Sequence, residues 1–365
     1  MSIEELMSKF YPDSKMVQKA GIYTPGTYGS GTFWEPMFGA KAWSWLNEEQ
    51  NIFSLLPKET FGQSGWRVIT TRAHATGGGV VNTANTAVPT AQSITFYQMY
   101  ALPKTMAHRF DVGEMTEYVS SKDDAIKLLP VYREQTGLDH AFCVNYQLGL
   151  RMEDGNAEAN FESVDRLVSS QAEIAANSAI SGNESNMYST AYNLNSATTW
   201  DSQVNHNSAT DRDLTLTLID TVLQTVWDAG GQPKVLLTGT ETLMRWQQLL
   251  EAERRFMDTA KVVPTFGGVK GLAAGIEAGF MVATYHTIPI LTSQHVKDHD
   301  TIEPIFYLDT DYIKFATAKP TVYAETGGGK DFLLTGYFTY QGMYETMGEL
   351  RNYRFNAQGK LTDLK

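Results

Sequence analysis

Between Gly21 and Leu46 the chain carries only two charged side chains, Glu35 and Lys41, yet the same stretch holds Tyr23, Tyr28, Phe33, Trp34, Phe38, Trp43 and Trp45. Gly21, Gly26, Gly29, Gly31 and Gly39, together with Pro25 and Pro36, deny most of it a helix. In a helix interior glycine costs about 1 kcal/mol and proline about 3 kcal/mol. The segment reads as an extended arm of large aromatic anchors with nothing local to bury them against. A short helix is predicted after it, with Asn47 as N-cap, Glu48 and Glu49 in the first turn, and Ile52, Phe53, Leu55 and Leu56 ahead of Pro57.

The next stretch has the same deficiency in a different form. Trp66 to His74 and Ser93 to Tyr100 are strand-like, and they flank Gly77, Gly78 and Gly79 and a run rich in Asn, Thr and Ala up to Pro89. This is the pattern of a long hairpin with a flexible tip, reaching roughly 36 Å at about 3.3 Å per residue. A lone two-stranded ribbon is marginally stable in water. Here both faces of the second strand are apolar: Ile94, Phe96 and Tyr100 on one, Tyr97 and Met99 on the other. Residues 66–100 contain Arg67 and Arg72 and no acidic side chain. A locally basic, apolar ribbon needs another surface to lie on. The expected contact residues are Phe33, Trp34, Trp43, Trp45, Arg67, Arg72, Ile94, Phe96 and Tyr97.

Further along, Asp123 to Met152 reads as one long helix, opened or kinked by Pro130, with Val131, Leu138, Ala141, Phe142, Leu148 and Met152 as its apolar set. A second helical run starts at Phe161 and continues toward Ile180, and residues 181–211 read as loop. From residue 211 the pattern is a compact α/β unit. Asp211 is the expected cap of a helix through Trp227 that stops at Gly230 and Gly231. A buried strand, Lys234 to Gly239, leads into a helix bearing Leu243, Trp246, Leu249 and Leu250. After the glycine-rich loop at 267–271, strands are predicted at Phe280–Tyr285, Ile288–Thr292, Ile305–Leu308, Tyr312–Ala316, Phe332–Tyr340 and Leu350–Phe355.

The chain has 365 residues, a length that suggests two modules, and 29 Lys+Arg against 41 Asp+Glu leave a formal charge of -12. That acidity argues against a dedicated nucleic-acid binder. No apolar run approaches a membrane span, and Met1-Ser-Ile-Glu-Glu lacks a secretory pattern, so a soluble protein made in a cytosol is expected. Without a secretory signal, the glycosylation acceptor Asn183-Glu-Ser185 carries little meaning. A single cysteine, Cys143, excludes an internal disulfide and a four-thiolate metal site.

Candidate chemistry is thin. Thr326-Gly-Gly-Gly-Lys330 superficially suggests a phosphate loop, but Ala324 replaces its first glycine and Asp331 its magnesium-binding hydroxyl. His295 and His299 have a metal-sharing spacing without the zincin glutamate, and read as solvent-exposed loop histidines. Asp309-Thr-Asp311 reads as a turn, having too few oxygens for calcium. Cys143 has His140 one turn away, yet between Phe142 and Val144 it reads as a packed small hydrophobe. No catalytic constellation, cofactor site or metal site is expected.

In order and texture these segments resemble the major capsid proteins of tailed double-stranded DNA viruses, the Hong Kong 97-type fold. The block from Leu214 through Asp228-Ala-Gly-Gly-Gln-Pro-Lys-Val-Leu-Leu-Thr-Gly-Thr-Glu-Thr-Leu is similar to that family's axial-domain core. Ile288-Pro-Ile-Leu and the stretch from Tyr337 to Leu361, with Arg351, Arg354 and Ala357, are similar to its late strands. The resemblance implies an α+β fold with an N-terminal arm (1–58), an E-loop hairpin (60–103), a peripheral domain with a spine helix (104–207), an axial α/β domain (208–328) and a C-terminal return to the peripheral domain (330–365). It implies a coat protein, not an enzyme, assembling as hexamers and pentamers into an icosahedral shell around double-stranded DNA, built in the host cytoplasm and residing in the virion. Implied partners are other copies of itself, a portal, a decoration protein and weakly held DNA, with no membrane. Residues 66–100 contain no lysine, so the covalent E-loop crosslinking of some members is not expected. Only about 58 residues precede the hairpin, which favours a separate scaffolding protein over a fused leader. Two alternatives stand beside this reading: an encapsulin-type nanocompartment shell, and a cytosolic α+β enzyme with a pocket between the loops at 181–211 and 256–279.

Overall fold

The computed structural model of the chain describes residues 51–72, 94–121, 128–154, 160–177, 186–188, 192–193, 201–252, 284–296, 302–326, 336 and 338–365. Phe33, Trp34, Trp43 and Trp45 of the expected arm and the hairpin tip Gly77, Gly78 and Gly79 lie outside these residues. So do the glycine run before Lys330 and the loop at 256–279.

In chain order the elements are α1 (Asn51–Leu55), β1 (Lys58–Thr60), β2 (Gly65–Arg72), β3 (Ile94–Tyr100), β4 (Lys104–Gly113), α2 (Glu114–Ser121), α3 (Leu128–Leu148), α4 (Val164–Leu167), α5 (Gln171–Ala176), β5 (Asn186–Met187), β6 (Tyr192–Asn193) and β7 (Gln203–Asn205). There follow α6 (Leu216–Asp228), β8 (Val235–Thr238), α7 (Thr240–Ala252), β9 (Thr284–Tyr285), β10 (Ile288–Thr292), β11 (Ile305–Leu308), β12 (Ile313–Thr326), β13 (Thr339–Asn352), a 3-10 turn (Phe355–Ala357) and β14 (Gly359–Leu361). One sheet has the order β1-β12-β13-β4 and a larger one β7-β14-β11-β8-β10-β9, while β2-β3 and β5-β6 form separate two-stranded ribbons. Among the described residues no helix is long and apolar enough to cross a membrane.

The larger sheet forms where the sequence pattern is strongest. All four residues of β8 are buried, paired parallel to β10 and antiparallel to β11. On α6, Leu216, Ile219, Val222, Leu223 and Val226 recur at helical spacing and are buried. The cap is Thr215 rather than Asp211: its extended backbone lets the side-chain oxygen accept from the Leu218 amide at 3.3 Å. The helix stops where expected, at Gly230, whose φ of +78° is costly for a residue with a Cβ.

The smaller sheet departs further from expectation. β12 runs on from Ile313 to Thr326 and pairs antiparallel with β13, so the strands predicted at Tyr312–Ala316 and Leu350–Phe355 are ends of much longer ones. Polar and glycine residues in the middle of both strands, such as Lys319, Gln341, Gly342 and Gly348, hide the alternation. Register shifts at Thr317/Lys319 and Lys319/Val322 bracket Pro320, which has no N–H for the ladder. The prediction also missed β4, although its buried Met106, Phe110 and Val112 keep period-two spacing.

The long helix α3 is 21 residues, about 32 Å at 1.5 Å per residue, and ends at Leu148 instead of Met152. Pro130 sits in its first turn, where a backbone N–H has no intrahelical partner to lose. Its buried face is Leu129, His140, Val144, Asn145 and Leu148 rather than the expected set through Val131 and Leu138. At its C-terminus a Cβ on Gly149 would run into the His295 carbonyl, so glycine permits that close approach. The helix expected from Phe161 onward is instead two short ones. Ser163 and Ser170 cap them, accepting from the amides of Arg166 and Glu173, and residues 161–170 are all buried. Part of the segment expected as loop at 181–211 forms β5, β6 and β7.

Chain ends and sheets interlock. The last residues of the expected arm are core: Ile52 and Leu56 are fully buried, the Phe53 amide donates to Asn145 Oδ1 at 3.0 Å, and β1 pairs parallel with β12. The hydrogen-bonded sheets also cross the expected boundary near 328–330. β12 belongs with β4 and β13, and β14 returns to pair with β7 and β11. At the centre of the main core, Phe315 meets Phe53 and Phe161 edge-on, with ring centroids 5.3 and 5.6 Å away. Phe315→Ala should therefore lower unfolding free energy by about 3–5 kcal/mol in urea denaturation of the subunit; a loss below about 1 kcal/mol would show that this cluster is not the core.

Candidate assembly surfaces

The ribbon of β2 and β3 is held at its foot and exposed along its length. Pairing runs from Gly65 opposite Tyr100 to Arg72 opposite Ile94, with a register shift between Ile69 and Thr71. At the foot, Trp66 meets Tyr188 and Tyr353 edge-on at 5.5 and 5.7 Å, and Met99 is fully buried. The Arg351 guanidinium lies 4.0 Å from the Phe61 ring and 5.0 Å from Trp66, and donates to the Gln63 carbonyl at 2.7 Å. Further out, Ile69, Ile94 and Tyr97 are exposed and Phe96 is 56% exposed, while Tyr100 at the foot is 57% exposed. Of the predicted contact residues, Ile94, Phe96 and Tyr97 are thus exposed together on one strand, and Arg67 is exposed on its partner. Arg72 falls at the described end of β2, and the four arm aromatics lie outside the described residues.

Beneath the foot lies a buried ion network that the sequence reading missed. Lys104 Nζ is 2.9 Å from Glu349 and 3.6 Å from Glu162, and donates to the Asn160 carbonyl at 2.6 Å. Arg166 is 3.4 Å from Glu162. Glu162 Oε1 accepts from the Tyr188 amide at 2.7 Å, and Glu349 Oε1 from the Glu162 amide at 2.8 Å. Both carboxylates are fully buried, and loss of water pushes both up, Glu349 to about 7, against the pull of Lys104. A second buried set joins Lys360 to Asp165 at 2.7 Å and Glu173 at 2.5 Å. Burial would lower the Lys360 ammonium, but those two carboxylates outweigh it and raise it. The network links β4, β13, β14 and residues 161–173, so it fixes the platform from which the ribbon projects. Nothing in the spacing of Lys104, Glu162 and Glu349 announces that they meet.

The sequence reading also missed a second apolar surface. Met115, Tyr118 and Val119 are exposed on α2, beside Phe338, whose carbonyl accepts from the Glu114 amide at 2.9 Å. Met115 is 76% and Phe338 74% exposed. The i, i+3, i+4 spacing of the three α2 residues was legible as a helix face. Apolar area of this kind on two separate elements is the mark of a surface made for association.

The candidate catalytic groups do not converge. His295 was expected in solvent; it is 4% exposed, edge-on to Phe142 at 4.8 Å and Tyr146 at 6.0 Å, because its loop packs across α3. His299 lies outside the described residues. Asp309 is the expected turn, with its carboxylate accepting from the amides of Gln232 and Asp311 at 3.2 and 3.1 Å. His140 contacts Thr346 Oγ1 at 2.7 Å and His108 at 2.9 Å rather than Cys143. Burial, and then Asp139, pushes the half-buried Cys143 thiol up, the opposite of an activated nucleophile.

The fold class is that of shell-forming capsid subunits. The chain is similar to the capsid asymmetric unit of cyanophage A-1(L), with a TM-score of 0.60 and 14% identity over 89% of this chain and 95% of that one. It is similar to the capsid of a native GTA particle, with a TM-score of 0.57 and 10% identity over 94% and 100%. It is also similar to the encapsulin of the holo-SrpI complex from Synechococcus elongatus PCC 7942, with a TM-score of 0.53 and 10% identity over 91% and 92%. At these identities the likeness is one of fold. No curated protein matches the sequence. Residues 166–345 match the model of the SU10 major capsid protein family. With that match and the shared fold, the chain is a major capsid protein: a structural component of the virion shell, not an enzyme.

The buried carboxylates make stability depend on pH. Glu349 stays protonated in the folded subunit up to about 7 but ionises near its ordinary value when unfolded. Between about 4.5 and 7 the folded state therefore binds the extra proton, and stability falls as pH rises through that window. Glu349→Gln should flatten this slope in thermal melts at pH 4.5, 5.5, 6.5 and 7.5; an unchanged slope would assign it to other groups.

Proposed function

We propose that the subunit assembles as hexamers and pentamers into an icosahedral shell packaging double-stranded DNA, with the β2–β3 ribbon laid across a neighbouring copy. The observation that carries this is the ribbon itself. Its foot is clamped by Trp66, Met99 and Arg351, while Ile69, Ile94, Phe96 and Tyr97 are exposed beyond it. At about 25 cal/mol per Å², covering about 500 Å² of such surface gives roughly 12 kcal/mol gross, before association and ordering costs. Heterologous contacts repeated from copy to copy close into rings.

In this reading the arm with Phe33, Trp34, Trp43 and Trp45 adds a second reach onto neighbours, and Gly77, Gly78 and Gly79 let the ribbon tip reposition as a shell expands. Residues 60–103 act as the E-loop, 104–207 as the peripheral domain around α3, and 208–328 as the axial domain, with residues after 330 completing both sheets. A separate scaffolding protein, a portal and a decoration protein complete the particle. The formal charge of -12 keeps contact with packaged DNA weak and non-specific. The encapsulin reading shares the fold; the SU10 family match over residues 166–345 favours the virion.

Replacing residues 70–95 by Asn-Gly closes the Ile69–Phe96 pair with a hairpin turn and leaves the clamped foot intact. The variant should fold, with circular dichroism like the parent, and form no closed particles in electron microscopy; particles of parental size would refute the ribbon's role. Arg67 on an acidic subunit should also make assembly salt-sensitive. Particle yield by light scattering is expected to drop between about 50 and 500 mM NaCl at neutral pH, in the range where screening shortens from roughly 14 to 4 Å; a flat yield would remove the electrostatic part of the mechanism.

A further inference from the structure

The space between β4 and α3 gathers three metal-ligating groups of different chemistry. His108 comes from β4, and Asp139 and Cys143 stand one turn apart on α3. A ring nitrogen, a carboxylate oxygen and the Sγ lie within 4.8 Å of one another. His108 and Cys143 line a cavity of about 510 Å³, so a cation held there keeps a face open to water.

The surroundings fit a ligand set. His108 Nδ1 is 2.9 Å from His140 Nδ1, and His140 Nε2 is 2.7 Å from Thr346 Oγ1, which is 2.8 Å from Thr321 Oγ1. If His108 Nδ1–H donates to His140, then His140 Nε2–H donates to Thr346, and His108 Nε2 carries the free lone pair. That is the outer support that metal-bound histidines usually have. Tetrahedral donors at bonds of about 2.0–2.3 Å stand roughly 3.3–3.8 Å apart, so the three groups need to close by at most about 1.5 Å on binding.

We propose that His108, Asp139 and Cys143 form a binding site for a borderline-soft divalent cation of the zinc class, with water as fourth ligand. Mixed nitrogen, sulfur and oxygen donors select zinc or cobalt over magnesium or calcium. On binding, the Cys143 S–H bond breaks, its proton leaves to solvent, and the sulfur lone pair forms the bond to the metal. The cation would tie the long helix to the smaller sheet. The site rests on the fold alone and is independent of the ribbon's role.

Titrating Co2+ into the full-length chain, as purified subunits and as assembled particles, tests this directly. One equivalent should bind to subunits and produce a thiolate-to-cobalt charge-transfer band with tetrahedral visible absorption, both displaced by Zn2+. Cys143→Ser should abolish the charge-transfer band. Asp139→Asn, at an exposed position that leaves folding intact, should weaken affinity at least about 10-fold, and Thr346→Val by about 10–100-fold with the band retained. A missing band in the parent subunit, a band surviving Cys143→Ser, or unchanged affinity in Asp139→Asn would overturn the site. Binding by particles as well as subunits would place it away from subunit contacts; binding by subunits alone would place it in one.

Discussion

The pairing of β12 with β13 is the constraint on which the rest of the subunit depends. Both strands are 14 residues long, and their inner ends lie in the main core, where Phe315 and Leu350 are fully buried. From that end the chain passes through the Asp309 turn into the larger sheet on one side, and through Phe355 and β14 on the other. Along the other edges, β1 docks on β12 and β4 on β13. The outer end carries α2 and Phe338 away from the core, which is why apolar side chains appear there in solvent. One ladder thus determines both what is enclosed and what is presented.

Charges inside this frame serve position more than stability. A buried ion pair seldom contributes net stability over an apolar replacement, because desolvation cancels most of the attraction. Removing one partner of Lys104, Glu162 and Glu349 leaves an uncompensated charge, however, so misregister of β4 on β13 is strongly disfavoured. Lys360 with Asp165 and Glu173 does the same for the returning C-terminal strand.

Legibility in the sequence followed local pattern. The α/β unit was readable because Leu216, Ile219, Val222 and Val226 on α6 and the buried run of β8 have unambiguous periods. The ribbon was readable from its two apolar runs around a glycine tip. The middle of β12 and β13 was not, because Lys319, Pro320 and Gly342 break the alternation while tertiary pairing holds them in place. The helix that propensity would have continued stops at Val168, Ser170 caps a new one, and Thr215 took the cap that Asp211 was expected to fill. His295 was misjudged because its polar neighbours in sequence are not its neighbours in space. The charge networks and the His108, Asp139 and Cys143 cluster rest on pairs up to 245 positions apart, which no local window can see, although Glu162 and Arg166, like Asp139 and Cys143, are only four apart.

The order of the larger sheet has a consequence for biosynthesis. β14 lies between β7 and β11, so an inner position of that sheet stays empty until residues 359–361 have been translated. A ribosome-bound or prematurely terminated chain lacks the strand that joins β7 to the rest, and leaves Asp165 and Glu173 without their ammonium. Incomplete translation products therefore cannot close the larger sheet.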